Sequence, residues 1–338
     1  MDNQTRSRLG SVKSIGKTVL SEYSYLVSFV LIVTIALVVN PNFLAWRNIS
    51  NIFAQSATTT GLIALGMTMV ICAGMIDISV GAQVAIISGF GIEVLNYTEN
   101  IWLMLGFCVL FGCFIGTFNG LLIAKGRMPA MIATLAVQTS CRAIVNHFGQ
   151  GGPYTVASGM AHEEFYQSFR QVGNGFLDVF GLRVPYPMIM FIVIALLFGL
   201  IMQRTRLGKH IYAVGSNATS ARLAGVNVDR TRIMVFTITG IMCGFTSWIY
   251  ASKLMAVAAA SAGNLFEMDA IAAVAIGGTA MSGGRGKIIG TFLGVLMFKI
   301  INNILVAAQV PTFLNGAISG AIIIVAVLLQ NVRNRKAA

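Results

Sequence analysis

Long apolar runs alternate with short polar joints along almost the whole chain. The runs fall at 23–39, 53–73, 79–95, 102–124, 129–147, 187–203, 233–251, 268–280, 288–307 and 312–330. A helix needs about 20 apolar residues to cross the hydrocarbon core, and fewer where protein shields it. The pattern predicts an all-α integral membrane protein with about ten transmembrane helices. It assigns 1–22 to a polar N-terminal tail, 23–331 to the transmembrane domain and 332–338 to a polar C-terminal tail. Within the domain, 204–232 and 148–186 are the long loops.

Composition supports this division. Of the 338 residues, 56% are hydrophobic and 10% charged, whereas soluble domains carry about 25% charged residues. The net charge of +12 would suit a nucleic-acid partner if it formed a groove interleaved with aromatics. It does not. Most of the Lys and Arg fall at alternate joints: Arg6 to Lys17, Lys125 and Arg127, Arg204 to Arg232, Arg285 and Lys287, and Arg333 to Lys336. That is the positive-inside bias, which puts both termini and the 204–232 loop in the cytoplasm and faces anionic membrane lipid. The basic start followed by 23–39 has the charge order of a signal peptide. Asn40-Pro41-Asn42-Phe43 follows it, however, not a small-residue cleavage site, so the first run is expected to stay.

The joint at 73–79 carries one acid, Asp77, between Gly74 and Gly81, with Ser79 beside it. A carboxylate between two spans must be hydrated, paired or bonded to backbone amides. Two readings are open. Asp77 and Ser79 cap the next helix, or the joint is a break that lines or gates a pathway. Asp269 and Glu267 open the short run at 268–280, where acids complement the helix dipole. Lys299 lies within the run at 288–307, with Asn302 and Asn303 a turn later; it is a functional candidate or a cation that reaches the interface. Gly106, Gly112, Gly116 and Gly120 in the fourth run read as close helix packing. In the outer loop after the first run, Phe43 and Trp46 suit the membrane interface. The loop at 147–185 is polar enough to be solvated and to receive an external partner, with a short helix at about 161–172.

The 204–232 loop contains Gly215-Ser-Asn-Ala-Thr-Ser-Ala-Arg-Leu-Ala-Gly225. Asn217 is a good N-cap and Gly225 a good left-handed terminator. Between them lies a helix of about two turns, too short to be stable alone in water. Ala221, Leu223 and Ala224 offer an apolar footprint and Arg222 a charged anchor. No metal or cofactor is expected. The five cysteines sit in apolar runs without ligand spacing, the histidines His147, His162 and His210 lie in or beside loops, and no Walker lysine follows the glycine-rich stretch 277–286.

Three blocks together resemble the permease subunits of ribose-type sugar ABC importers. They are Gly74-Met-Ile-Asp77-Ile-Ser79-Val-Gly81, then Gly215 to Gly225 with Val226-Asn-Val228, then Asp269-Ala-Ile-Ala-Ala with Gly277-Gly-Thr279 and Gly283-Gly-Arg-Gly286. The likeness runs from about residue 40 to residue 330. It implies a multi-pass protein of the bacterial cytoplasmic membrane that imports a monosaccharide or related polyol and is not itself an enzyme. It implies a cytoplasmic ABC ATPase subunit as partner, an external substrate-binding protein, and a second permease copy or paralogue. The stretch Asn217, Ala221, Arg222, Leu223, Ala224 and Gly225 resembles the coupling helix that seats in the ATPase. Asp77, Ser79, Gly81, Asp269, Asn302 and Asn303 are the candidates for the pathway or its gate. The rival reading is a secondary transporter driven by an ion gradient, with Asp77 and Lys299 as its ionisable pair.

Overall fold

The structure is a computed structural model that describes residues 24–158 and 163–311, and beyond them 314, 316–318, 320, 321 and 324. The predicted tails and the run at 312–330 lie wholly or mostly outside the described residues, as does His162. The described chain is helical. In order it forms α1 (Ser24–Val39), α2 (Trp46–Thr58), α3 (Gly61–Cys72), α4 (Val80–Thr98), α5 (Ile101–Ala124) and α6 (Ala130–Phe148). Next come β1 (Pro153–Thr155), α7 (Glu163–Asn174), β2 (Phe176–Val179), β3 (Leu182–Pro185) and α8 (Tyr186–Arg204). The rest is α9 (Arg206–Ser216), α10 (Ala218–Leu223), α11 (Val228–Leu254), β4 (Ala256–Ala258), α12 (Phe266–Ile276) and α13 (Ile288–Ala307).

Among the described residues, five helices are long and apolar enough to cross a membrane: α4, α5, α8, α11 and α13. A sixth span results if α2 and α3 count as one. Three further predicted runs are present as helices that fall short of that standard. α1 has 16 residues and α12 has 11, and α6 carries Gln138, Thr139, Arg142 and Asn146 along its length. The run read as 53–73 is not one rod. α2 starts earlier, at Trp46, and meets α3 at a bend of 54°. Three consecutive threonines, Thr58 to Thr60, weaken the helix there. Phe43 is turned into the core, while Trp46 is half-buried and donates its indole N–H to the Arg183 carbonyl at 2.8 Å.

α3 lies at the centre. Every residue from Gly61 to Cys72 is buried, as expected for a helix apolar on all sides. α11, at 27 residues the longest helix among the described residues, packs against α3, α4 and, along most of its length, α5. The α5–α11 seam is made of small residues. Gly112 meets the backbone of Gly240 and Gly244, Gly116 that of Phe236 and Gly240, and Gly120 that of Ile233. Lipid gives no hydrophobic drive between helices, so close backbone packing supplies the contact energy. Gly106, nearly two turns before Gly112, has no neighbour and takes no part.

The loop between α6 and α8 is more structured than its polarity suggests. Its predicted helix is α7, in which Phe169 is fully buried. Two antiparallel ladders flank it, β1 with β4 and β2 with β3.

A side chain at Gly240 would collide with backbone, which no rotamer change relieves. Gly240→Val is expected to lower thermal stability in detergent by at least the roughly 1–3 kcal/mol of an overpacked core. Gly199→Ala, in open space, should leave the melting temperature unchanged.

Candidate translocation core and coupling segment

Two helices begin inside the protein. α3 ends at a glycine terminator: Gly74 has φ +80, Gly74 N–H donates to the Ile71 carbonyl at 2.8 Å, and Met75 N–H donates to Val70 at 3.0 Å. The backbone then runs non-helically until Val80. Such backbone needs partners of its own, because neither lipid nor core supplies water. Asp77 supplies one. Its Oδ1 accepts from Ser79 N–H at 2.9 Å and from the Ser79 hydroxyl at 2.6 Å. Thr134 on α6 supplies another, accepting from Ile78 N–H at 3.2 Å.

Ser79 is the hub of this centre. It stands at the N-cap of α4, yet its side chain accepts nothing from the helix amides; the capping role expected of it is not what it does. Instead its oxygen accepts from Gln83 Nε2 at 2.8 Å and from Asn119 Nδ2 at 2.9 Å. Asp77, Ser79, Gln83, Asn119 and Thr134 are all wholly buried. The hub therefore ties the start of α4 to α5 and α6. Three of its atoms, Asp77 Oδ2, Gln83 Oε1 and Asn119 Oδ1, have no hydrogen-bond partner. All three are acceptors.

Gly81 packs against the Gly263 carbonyl and the Glu267 carboxylate, so the first turns of α4 and α12 meet there. A side chain at 81 would separate them. Gly263 has φ +66 and Glu267 is buried. Arg142 on α6 holds the turn before α12, donating to Ala259 at 3.1 Å and Ala262 at 2.7 Å. Asp269 is half-buried in the first turn of α12. Lys299 is half-buried on α13, with no ion pair to Asp77. Asn303 makes a reciprocal amide pair with Asn48, at 2.9 and 3.4 Å, that joins α13 to α2. Asn302 is half-buried on α13. Gln83, Asn119, Thr134 and Arg142 were not singled out as site residues from sequence. Each lies within a helix rather than in a polar joint, where hydropathy alone does not mark it.

The basic loop holds two helices, α9 and α10, where one was expected, and α11 already starts at Val228. Asn217 caps α10 by accepting from Ser220 N–H at 2.9 Å. Gly225, at φ +83, terminates it, with Val226 N–H on the Ala221 carbonyl at 2.9 Å. Ala221 faces inward and packs with Val214 and Val228, so it is not part of an outward footprint. Leu223 is 85% exposed, and Arg222, Ala224 and Gly225 are exposed around it. Arg222 and Lys125 both approach Asp229, at 3.9 and 3.6 Å.

α9 ends against the core. Gly215 meets the Cys72 carbonyl and the Gly284 amide, and Gly283 packs on Gly74 and on the Gly215 carbonyl. Gly284 N–H donates to Cys72 at 2.9 Å, and the Tyr212 hydroxyl donates to Gly286 at 2.8 Å. The glycine-rich turn before α13 is therefore a close-packed junction of three backbones, with Gly283 and Gly284 at φ +86 and +74. It joins the basic loop to the end of α3, five residues before Asp77. No group of three or more His, Cys, Asp or Glu able to hold a metal occurs among the described residues.

A bundle of apolar helices, a buried polar hub at the start of α4, and a basic helical loop packed on the end of α3 are the features of a membrane permease. The chain belongs to the family described as branched-chain amino acid transport system, permease component, whose model matches residues 48–327. It is 33% identical to the ribose import permease protein of Haemophilus influenzae, over 94% of this chain and 95% of that one. It is 36% identical to the ribose import permease protein of Bacillus subtilis, over 89% and 90%, and 30% identical to the xylose transport system permease protein of Escherichia coli, over 87% of each. No solved structure matches. Family and apolar helices together make this a multi-pass protein of the bacterial cytoplasmic membrane.

Removing the hub hydroxyl strands donors on Gln83 and Asn119 and leaves Asp77 Oδ1 with the Ser79 N–H alone. Each buried unsatisfied group costs about 1–3 kcal/mol. Ser79→Ala is expected to lower the melting temperature of purified protein clearly more than Ser140→Ala, an exposed serine on α6. Equal melting temperatures for the two variants would show that the hub does not hold the core.

Proposed function

We propose that the chain is the membrane-spanning subunit of an ATP-driven importer for a monosaccharide or related small polyol. A separate cytoplasmic ATPase supplies the energy, and an external binding protein delivers the sugar. The observation that carries this reading is the junction at Gly215. A short capped helix offers Leu223 outward at one end of the loop. At the other end the loop presses on Cys72, where α3 gives way to the unwound segment. Force applied to α10 is thereby delivered beside the polar hub. A partner that differs in its grip between two states shifts the permease between two states.

The ribose and xylose permeases named above support the sugar class. The unpartnered acceptors of the hub support a polar, weakly binding route, to which sugar hydroxyls can donate in passing. Asp77, Ser79 and Gly81 belong to that route in this reading, and Asp269 lies beside it on α12. Asn303 serves helix packing. A second copy or paralogue of the chain completes the route. The ion-driven alternative needs Asp77 and Lys299 to act together, and their separate surroundings favour it less.

Leu223→Asp tests the coupling helix with little local cost, because the side chain is exposed. Arg222→Glu is the weaker test, since it also sets two acids, 222 and Asp229, against each other. Leu223→Asp should leave the amount of permease in the membrane unchanged, while ATPase retained on tagged permease falls at least tenfold and sugar uptake falls with it. Normal uptake and retention would remove α10 as the ATPase seat.

A further inference from the structure

The β2–β3 hairpin is built in a way that its own fold does not explain. Its two central residues, Phe180 and Gly181, have φ +51 and +81. Two positive values in a two-residue loop give the mirror-image turn, for which Asn, Asp or Gly is favoured at the first position. A phenylalanine there carries a backbone penalty. Nothing in the described chain repays it, for Phe180 is completely exposed.

The strands are equally one-sided. Directly paired residues share a face and alternate residues return to it. The register pairs Leu177 with Val184 and Val179 with Leu182, so one face is wholly apolar. The other pairs Asp178 with Arg183, whose guanidinium lies 4.6 Å from the centroid of the Phe176 ring. Leu177 and Leu182 are about half exposed, at 48% and 47%.

The position of the hairpin indicates what covers the apolar side. β3 runs directly into α8, and Tyr186 N–H closes the base of the hairpin on the Gly175 carbonyl at 3.1 Å. α8 has 19 residues, a length of about 28 Å, which matches the roughly 30 Å of hydrocarbon. Its outward face exposes Val193, Leu196, Leu197 and Leu200. The far end of α8 is Arg204, at the basic loop. The hairpin therefore sits at the opposite boundary, above the lipid-facing side of α8. Trp46 and Tyr186, aromatic residues of the type found at membrane boundaries, stand at its base.

We propose that this hairpin is an interfacial anchor. Its apolar face and the Phe180 ring rest on phospholipid, in the headgroup region of the leaflet opposite the basic loop, while Asp178 and Arg183 face water. The contact fixes the height and tilt of α8 relative to the bilayer. It is separate from the sugar route and does not rest on it.

The test places a photo-crosslinking phenylalanine, para-benzoylphenylalanine, at position 180 of the full-length chain. Cells contain radiolabelled phospholipid and the chain's natural partners. The same replacement at Leu196 is the control for ordinary lipid contact. Irradiation should transfer lipid label to the permease from position 180 with a yield similar to that from position 196. An adduct to another polypeptide at 180 would make the hairpin a protein docking surface and overturn the proposal. A lipid adduct at 196 with none at 180 would overturn it as well. Phe180→Trp in vesicles gives an independent reading: its added emission, relative to the parent, should be quenched by brominated lipid and little by aqueous iodide. The reverse order contradicts the anchor.

Discussion

The joint from Ala73 to Ser79 separates α3 from α4, and its far end, with Asp77 and Ser79, is wholly buried. Each backbone amide there must find a partner or carry the full cost of an unmade hydrogen bond. The partners come from every side. Gly74 closes α3, Asp77 Oδ1 takes the Ser79 amide, and Thr134 of α6 takes the Ile78 amide. Ser79 then gathers Gln83 and Asn119. The local demand of one unwound segment thus fixes the relation of α3, α4, α5 and α6. The burial of α3 on all sides depends on that relation.

Small residues let the arrangement close. The α5–α11 seam, the meeting of Gly81 with Gly263, and the Gly215–Cys72–Gly284 junction are all places where backbone touches backbone. Such contacts have little slack, because no side chain stands between the chains to change rotamer. Movement at one is transmitted rather than absorbed, since packed interiors are stiff. In the proposed mechanism this is what carries a displacement of α10 to the hub. In the same proposal the unpartnered acceptors of the hub are what a hydroxylated solute would meet.

Much of this was legible in the sequence, and the gaps have physical causes. The long apolar runs of α4, α5, α8, α11 and α13 are set by composition alone, and the capped helix at 218–223 by Asn217 and Gly225. The break between α2 and α3 was missed because three threonines lower helix propensity without interrupting hydropathy. The strands were missed because four residues are too few to show alternation against the surrounding loop. Ala221 looked like an outward apolar residue, but a helix of six residues has no periodicity from which to read its buried side. The hub was half visible. Asp77 and Ser79 stand in a polar joint, whereas Gln83, Asn119 and Thr134 lie within helices. Only the fold brings Gln83 and Asn119 to one oxygen and Thr134 to the Ile78 amide.

The central claim is that the coupling segment acts on the core through Gly215. The most direct measurement is ATP hydrolysis by the reconstituted complex, with and without sugar-loaded binding protein, for the parent and for Gly215→Val. The variant leaves the exposed face of α10 intact and wedges apart the contact with Cys72. The account predicts that the variant still binds the ATPase and hydrolyses ATP at a basal rate, while stimulation by the loaded binding protein is lost. Full stimulation together with normal uptake in Gly215→Val would contradict it.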